Sequence, residues 1–257
     1  MNKYMILGHP GHELRAYRWM EIHRPEVFVL TNGSGSLSEG RIESTDKVVV
    51  NADASQGSFF GKMQDGDFYH DLLAMDATRF TAALVDIYQS VSAAGPRELT
   101  IVGDSIEGYN TAHDMTRYMI NILCARLRAE EYVVDNFSFN LVDNPAETAL
   151  LAKDHDQIIH LDDHDFQRKL AAAHNYPELA EEVEMAIAHA GADAFKTEVL
   201  LYQNASSPEI PAPQEPVYYE TYGRKRVAEG KYADLILFST HVLPFAKACR
   251  EQFHASC

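Results

Sequence analysis

The chain has 257 residues, 46% of them apolar, and a formal net charge of −16. This length is enough to bury the core of one α/β domain, with two small domains as the alternative, while the acidic surplus argues against nucleic acids and anionic membranes as partners. No run of residues is long and apolar enough for a membrane span or a signal peptide. Three irregularly spaced cysteines indicate neither a disulfide framework nor a metal site, so we expect a reduced, cytoplasmic protein.

Strands and helices alternate in the first half of the chain. Short apolar runs predict buried strands at 3–7, 27–31, 99–104 and 132–142. Amphipathic spacing predicts helices at 12–23, 44–54, 76–94 and 112–130. This order predicts an α/β fold, with a Rossmann-like, doubly wound and mainly parallel sheet that carries helices on both faces.

The second half, from about residue 150, reads as a C-terminal elaboration of one domain that spans residues 1–257. The stretch 153–165 is dense in Asp and His. Its histidines, His155, His160 and His164, lack a shared helical face, so we interpret it as a solvated acidic loop and not as a second metal site. The other predicted elements are helices at 163–174 and 177–190, a Pro-rich loop at 204–216, and a tail that reads helix, strand, helix.

Polar or Gly-rich loops follow three of the predicted strands, at 8–13, 31–36 and 103–114. Doubly wound sheets bind their ligands at this edge, outside the carboxyl ends of the strands. The first loop reads GHPGHE and places His9 and His12 around a tight turn, and the third places His113 at the start of the next helix. Three protein ligands with an open fourth position are the usual catalytic zinc arrangement. The alternative is chance, because the chain has 12 histidines.

GHPGHE at 8–13 resembles the AHPDDE motif of the N-acetylglucosaminylphosphatidylinositol de-N-acetylase-like family, also called the PIG-L or LmbE-like family. NTAH at 110–113 stands in the place of a second family motif, which resembles HPDH. LTNGSGS at 30–36 is similar to the family's second-strand end. The resemblance covers about residues 3–125.

Position by position, the resemblance implies three metal ligands: His9, His12 and His113. His12 stands where the family has a zinc-binding aspartate, which leaves three neutral ligands and a more electrophilic ion. The expected cofactor is Zn²⁺, with Fe²⁺ as the alternative. Gly11 stands where the family has the aspartate that acts as general base, so another group has to replace it.

Four residues are candidates for this acid–base chemistry. Asp104 and Glu107 follow the third strand and are the candidate bases, the alternative being that they only cap the next turn. Asp114 is next to a ligand and can orient it. His241, at the end of the strand predicted in the tail, is a candidate general acid or oxyanion-binding group.

Substrate contacts are expected from Glu13, Asn32, Arg41 and Asn110, with an ordinary surface role as the alternative for Arg41. The resemblance implies a metal-dependent hydrolase whose small-molecule substrate is an N-acylated sugar or a similar polar amide. Two alternatives stay open: non-hydrolytic chemistry at a three-histidine iron site, and an inactive ligand-binding relic. The sequence leaves open whether the protein forms a homo-oligomer.

Overall fold

The computed structural model describes residues 2–35, 40–203 and 210–257. Ser36, at the end of the predicted 31–36 loop, and residues 204–209 of the predicted Pro-rich loop lie outside the described residues. The strands are β1 (Asn2–Leu7), β2 (Glu26–Thr31), β3 (Ser55–Met63), β4 (Glu98–Asp104), β5 (Val133–Phe139), β6 (Gln157–His160) and β7 (Thr197–Tyr202).

These strands form one sheet in the order β3-β2-β1-β4-β5-β7-β6. The first five in this order run parallel to one another. β7 runs antiparallel to β5 and to β6, so the second half of the chain extends the edge of the sheet. The predicted Rossmann-like, mainly parallel sheet is confirmed, with the antiparallel edge as an addition that the sequence did not predict.

Helices cover both faces of the sheet. They are α1 (Tyr17–His23), α2 (Ile42–Asn51), α3 (Asp65–Ala74), α4 (Thr78–Ala93), α5 (Thr111–Ala129), α6 (Pro145–Leu150), α7 (Asp163–His174), α8 (Ala180–Ala190), α9 (Tyr218–Ala228) and α10 (Leu243–Ser256). Successive side chains of a strand point to opposite faces. Tyr4 and Ile6 of β1 accordingly join the core beneath α4, α5 and α10, whereas Met5 and Leu7 join the core beneath α1 and α2.

The structure contains an edge strand and a helix, β3 and α3, that the sequence did not predict. β3 has the sequence SQGSFFGKM, and most of its side chains are exposed or half-buried. β3 is an edge strand with two glycines and no apolar run, so its sequence lacks the pattern that predicts a buried strand. The following helix carries Asp65, which proves important for the site.

Two predictions for the second half are wrong. The acidic segment 153–165 is not a loop throughout, because residues 157–160 form β6 and pair with β7. The tail strand predicted at 235–240 is absent from the described chain: a π-helical turn, Phe238–Val242, leads directly into α10. Ile236 and Phe238, two apolar residues of this run, pack against the hydrophobic core, and the run does not pair with a strand.

None of the helices in the described part of the chain is both long enough and apolar enough to cross a membrane.

Candidate metal centre

The three predicted histidines come together at the carboxyl edge of the parallel strands. His9 and His12 follow β1, and His113 is the third residue of α5, which follows β4. The ring centroids lie 5.3 Å apart for His9 and His12, 5.6 Å for His9 and His113, and 4.6 Å for His12 and His113. Each ring stands edge-on to the other two, so the three imidazoles form one compact triangle.

A threonine and a buried aspartate, Thr31 and Asp65, hold the first ring. The His9 Nδ1 lies 2.7 Å from the Thr31 Oγ1, whose own proton is donated to the Gly8 carbonyl. This donation favours the tautomer in which the His9 Nδ1 donates to Thr31 and the lone pair is on the His9 Nε2. Asp65 Oδ1 lies 3.3 Å from the same Nδ1 and favours the same tautomer.

Asp104 holds the second ring. The Nδ1–H of His12 donates to its carboxylate at 2.9 Å, and the amide of Gly8 donates to the same Oδ2 at 2.8 Å. A side chain at position 8 would meet Asp104 Oδ2 at 2.9 Å, so glycine is needed for this close approach. A histidine that gives its Nδ1–H to a carboxylate is the usual arrangement behind a metal ligand, because it fixes the ring and raises the basicity of the other nitrogen.

Two ring nitrogens of the triangle are buried and unpartnered within the described chain: His9 Nε2 and His113 Nδ1. Burial, together with the neighbouring histidines, holds the pKa of His113 well below its usual value. Burial also lowers the pKa of His12, although Asp104 works in the opposite direction. The histidines His12 and His113 are thus favoured in the neutral form that binds metals.

The spacing of the three rings is compatible with a cation between them, whereas the present orientation of the rings is not. Around a tetrahedral zinc ion with Zn–N distances of about 2.0–2.1 Å, imidazole centroids lie about 5 Å apart, which is the size of the observed triangle. As the side chains stand, no group of three or more His, Cys, Asp or Glu residues in 2–35, 40–203 and 210–257 is arranged to hold a metal ion. Coordination would therefore require the rings to turn their free nitrogens toward a common point.

The backbone conformation at Gly11 disfavours any other residue. Its φ of +100° lies in the region that favours glycine, and an added Cβ would stand 2.2 Å from the Leu179 Cδ1. The Gly11 amide donates to Glu13 Oε2 at 2.8 Å and to Thr45 Oγ1 at 3.1 Å, which fixes the turn. Glycine is thus suited to this turn, and a carboxylate at position 11 would strain the backbone and require the Leu179 side chain to shift.

The candidate bases are bonded elsewhere. Asp104 is fully buried and holds His12 and Gly8, as described above. Glu107 accepts the amides of Leu141 and Val142 at 2.9 Å, and burial raises its pKa to about 7. Both carboxylates therefore fix backbone or ring positions. These contacts agree better with a structural role for Asp104 and Glu107 than with the role of general base.

Asp114 and His241 are also engaged by backbone groups. Asp114 Oδ1 accepts the amides of Glu107 and Gly108, while burial raises its pKa to about 7. Its Oδ2 has no partner in the described residues. His241 lies in the π-helical turn, where its Nδ1 accepts the amide of Leu237 at 3.1 Å. The position of His241 is explained by this turn, not by the strand end that the sequence predicted.

Two of the expected substrate-binding residues, Glu13 and Arg41, lie close to the histidines. Glu13 is buried beneath the 8–13 turn and accepts the Thr45 hydroxyl at 2.9 Å, and burial raises its pKa to about 7. The positive charge of Arg41 opposes that rise and also lowers the pKa of His12. Glu13 thus supports the turn, whereas Arg41 supplies a charge at the site.

The other two, Asn32 and Asn110, order the backbone. Asn32 Oδ1 accepts the amide of Ser34 at 3.1 Å. Asn110 is the N-cap of α5, where its Oδ1 accepts the amide of Ala112 at 2.8 Å, and it also lines a cavity of about 770 Å³. The lining also includes Thr111 and Tyr109, whose ring lies 6.4 Å from that of His113, so this cavity of substrate size lies beside the histidines, although none of the three lines it.

Sequence reasoning missed Thr31 and Asp65. Thr31 ends β2, at the same edge of the sheet as the histidines, so its position was a usable signal. Asp65 begins α3, which follows the unpredicted edge strand, and nothing in its sequence neighbourhood points to His9.

We expect Asp104→Asn to weaken zinc binding about 10–100-fold, because the amide keeps the shape of the side chain but loses the charge that supports His12. Competition titration against a zinc chelator measures this. Asp53→Asn, at an exposed position of positive φ that asparagine tolerates, is the matched control and should bind zinc like the wild type. If Asp104→Asn binds zinc as tightly as the wild type, Asp104 does not support the metal site.

No protein-family model matches the chain, and no curated protein and no solved structure matches it either.

Proposed function

We propose that the protein is a metal-dependent hydrolase that cleaves the amide of an N-acylated sugar or a similar small polar molecule. The observation that carries this proposal is the triangle of His9, His12 and His113 at the mouth of the sheet, with two unpartnered ring nitrogens and an aspartate behind each of the first two rings. The motif resemblance of residues 8–13 supports the choice of an amide substrate.

The three imidazoles would hold the ion, with Zn²⁺ expected. Zinc supplies a Lewis acid that polarises the amide carbonyl and lowers the pKa of water. Asp104 acts as a positioning residue, since it accepts the Nδ1–H of His12, and Asp65 lies 3.3 Å from His9 Nδ1 and adds a negative charge beside that ring. Arg41 adds positive charge that favours the negative charge developing on the carbonyl oxygen during hydrolysis.

The proton acceptor differs from that of a site with aspartate at position 11. Asp104 and Glu107 are bonded to other groups, and of Asp114 only the buried Oδ2 lacks a partner in the described residues, so we propose that solvent takes the proton. A positioned general base contributes about 10²–10⁴-fold to such reactions. We therefore expect amide hydrolysis to be slow.

Gly11→Asp tests whether a missing base limits the rate, and shortening Leu179 makes room for the new side chain. We expect Gly11→Asp alone to destabilise the fold by about 1–3 kcal/mol, because of the positive φ and the contact with Leu179. Gly11→Asp combined with Leu179→Ala should raise the rate of amide hydrolysis at least about tenfold over Leu179→Ala alone. If the double variant folds and its rate does not rise, a missing base is not what limits the enzyme.

The proposal is tested by release of acetate from N-acetylglucosamine and related N-acyl sugars, with protein purified without added metal and then supplied with Zn²⁺. The expected result is zinc-dependent turnover that is lost in His9→Ala. Zinc binding without turnover of any of these amides would contradict the hydrolase proposal but would still support the metal site.

A second candidate is non-hydrolytic chemistry at a three-histidine iron site. The observation that favours it is the positive φ of Gly11, which disfavours a carboxylate side chain at the position of the hydrolytic base. Three neutral ligands also suit Fe²⁺. Metal analysis of the purified protein separates the two, because iron at one equivalent with no amide turnover supports this candidate and zinc with turnover supports hydrolysis.

A further inference from the structure

We propose that a cavity beneath α8 binds a small monocarboxylate with an alkyl chain, and that the carboxylate of this ligand lies at Arg15. This α8 cavity has a volume of about 220 Å³ and is lined by residues of the 3-10 turn His12–Ala16, of α7 and of α8. None of the described residues that line it is a histidine. A ligand of the α8 cavity is therefore distinct from the substrate that the proposed hydrolase would bind at the metal centre.

The lining of the α8 cavity is mainly apolar. Helix α7 contributes Leu170 and Ala173 to it, and helix α8 contributes Val183, Ala186 and Ile187. The three α8 positions are spaced at i, i+3 and i+4, so they share one face of the helix. Apolar walls offer water few hydrogen bonds, whereas they bury the methylene groups of an alkyl chain favourably. The lining thus favours an apolar occupant over water.

The apolar face of α8 is only half-buried. Val183, Ala186 and Ile187 have intermediate exposure, and none of the residues of α8 is fully buried. The neighbouring helix α7, by contrast, buries Phe166 and Lys169. An alkyl chain in the cavity would cover the α8 face, and each methylene group that leaves water strengthens binding about fourfold. A ligand in the α8 cavity thus accounts for the incomplete burial of this helix.

Arg15 supplies the positive charge for a carboxylate. It lines the α8 cavity, and its guanidinium lies 5.2 Å from the centre of the Phe195 ring, which lines the cavity as well. Its Nη2 donates to the Leu141 carbonyl, whereas its Nη1 is buried and has no hydrogen-bond partner in the described chain. A buried donor without a partner is costly, and a carboxylate is a strong acceptor for a guanidinium. A turn of the guanidinium toward the cavity would bring this donor to a ligand carboxylate.

The charges around Arg15 favour one anion. Burial lowers the pKa of Arg15 more than the charges of Glu107 and Asp143 raise it, so the guanidinium would gain from a further negative charge. The Lys169 ammonium already pairs with a buried carboxylate at 2.9 Å. Glu182, in the lining, is exposed, so solvent screens its repulsion of an anion. The net charge of −16 disfavours a polyanion, which leaves a ligand with a single carboxylate.

The volume of the α8 cavity indicates the length of the alkyl chain. A dry cavity of about 150 Å³ with apolar walls binds benzene. In proportion, a cavity of about 220 Å³ holds about nine non-hydrogen atoms. This is the size of a straight-chain carboxylate with about six to eight carbon atoms. Octanoate is therefore a suitable probe.

The test titrates the metal-free full chain with octanoate, octanol and acetate by calorimetry. We expect one equivalent of octanoate to bind at least about tenfold more tightly than octanol, because only the carboxylate pairs with Arg15. Acetate should show no measurable binding, because it lacks the chain that the cavity covers. Metal-free protein is used so that the result does not depend on the metal centre.

Two variants locate the ligand. Ala186→Leu fills part of the α8 cavity and should weaken octanoate binding at least about tenfold. Ala188→Leu, at an exposed position of the same helix, is its matched control and should bind octanoate like the wild type. Arg15→Gln should weaken octanoate binding about tenfold and leave octanol binding unchanged. Arg224→Gln, which replaces an exposed arginine of α9, is the control for this change. Circular dichroism shows whether each variant is folded.

No octanoate binding, or binding as tight in Ala186→Leu as in the wild type, would overturn the α8 cavity as a ligand site. Equal affinity for octanoate and octanol, or octanoate binding that Arg15→Gln does not weaken, would contradict a carboxylate as the ligand. If Arg15→Gln does not fold, the comparison of octanoate with octanol decides this point. All of these results leave the proposed amide hydrolysis untouched, because that activity is measured with zinc-loaded protein.

Discussion

We expect His113→Ala to bind zinc at least about a hundredfold more weakly than the wild type. The variant should also lose the stabilisation of the fold that zinc gives to the wild type. The reason is that His113 contacts both other rings and carries one of the two unpartnered ring nitrogens of the triangle. Even partners behind the metal ligands change affinity about 10–100-fold, so the loss of a ligand is expected to cost more. A ligand present at 100 times its dissociation constant stabilises the fold by about 2.7 kcal/mol.

Thermal unfolding with and without zinc measures this effect. The wild type should unfold at a higher temperature when zinc is added, and His113→Ala should not respond. His254→Ala removes an exposed imidazole from α10 and is the matched control, which should keep the full response. An equal response to zinc in His113→Ala and in the wild type would show that the ion binds elsewhere.

Glu198→Ala should destabilise the protein by about 3–5 kcal/mol, the cost of removing one partner from a buried ion pair. Glu198 is fully buried on β7 and lies 2.9 Å from the Lys169 Nζ. Its carboxylate also accepts the amides of Arg18 and Trp19 at the start of α1. Removal therefore leaves two amides without their acceptor and the buried ammonium with only the Arg15 carbonyl, at 3.3 Å, and it loosens the connection between β7 and the first helix.

Urea denaturation followed by circular dichroism measures this loss. Glu184→Ala is the control, since this exposed carboxylate only approaches the exposed His174 at 3.6 Å, and its removal should cost less than about 1 kcal/mol. Glu198→Gln combined with Lys169→Met should be milder than Glu198→Ala, because no unpaired charge stays buried. A loss below about 1 kcal/mol in Glu198→Ala would contradict the structural role of the pair.

The centre of the sheet was predictable, and its edges were not. β1, β2 and β4 are nearly continuous apolar runs, because parallel strands that are covered on both faces bury every side chain. β3 and β6 lie at the two edges and are largely exposed, so their sequences carry no such signal. Pairing with a distant neighbour stabilises edge strands, and such pairing cannot be read from a local window.

The candidate site was likewise predictable only in part. His9, His12 and His113 were predictable because the topology of a parallel sheet brings its strand ends to one edge, and the structure does bring their rings together. Which residues contact these rings depends on distances in the folded structure, and the spacing of residues in the sequence does not predict those distances. Asp104 looked like a candidate base, but it lies behind His12, and Asp65 comes from a helix that no pattern predicted.

The most direct measurement of the central claim is calorimetric titration of the metal-free full chain with zinc, repeated on the variant in which His9, His12 and His113 are all alanine. The expected result is one zinc ion per wild-type chain and no binding to the triple variant, with both proteins shown to be folded by circular dichroism. A wild-type chain that takes up no zinc and no iron, or a triple variant that binds as well as the wild type, would contradict the claim that these three imidazoles form a metal centre.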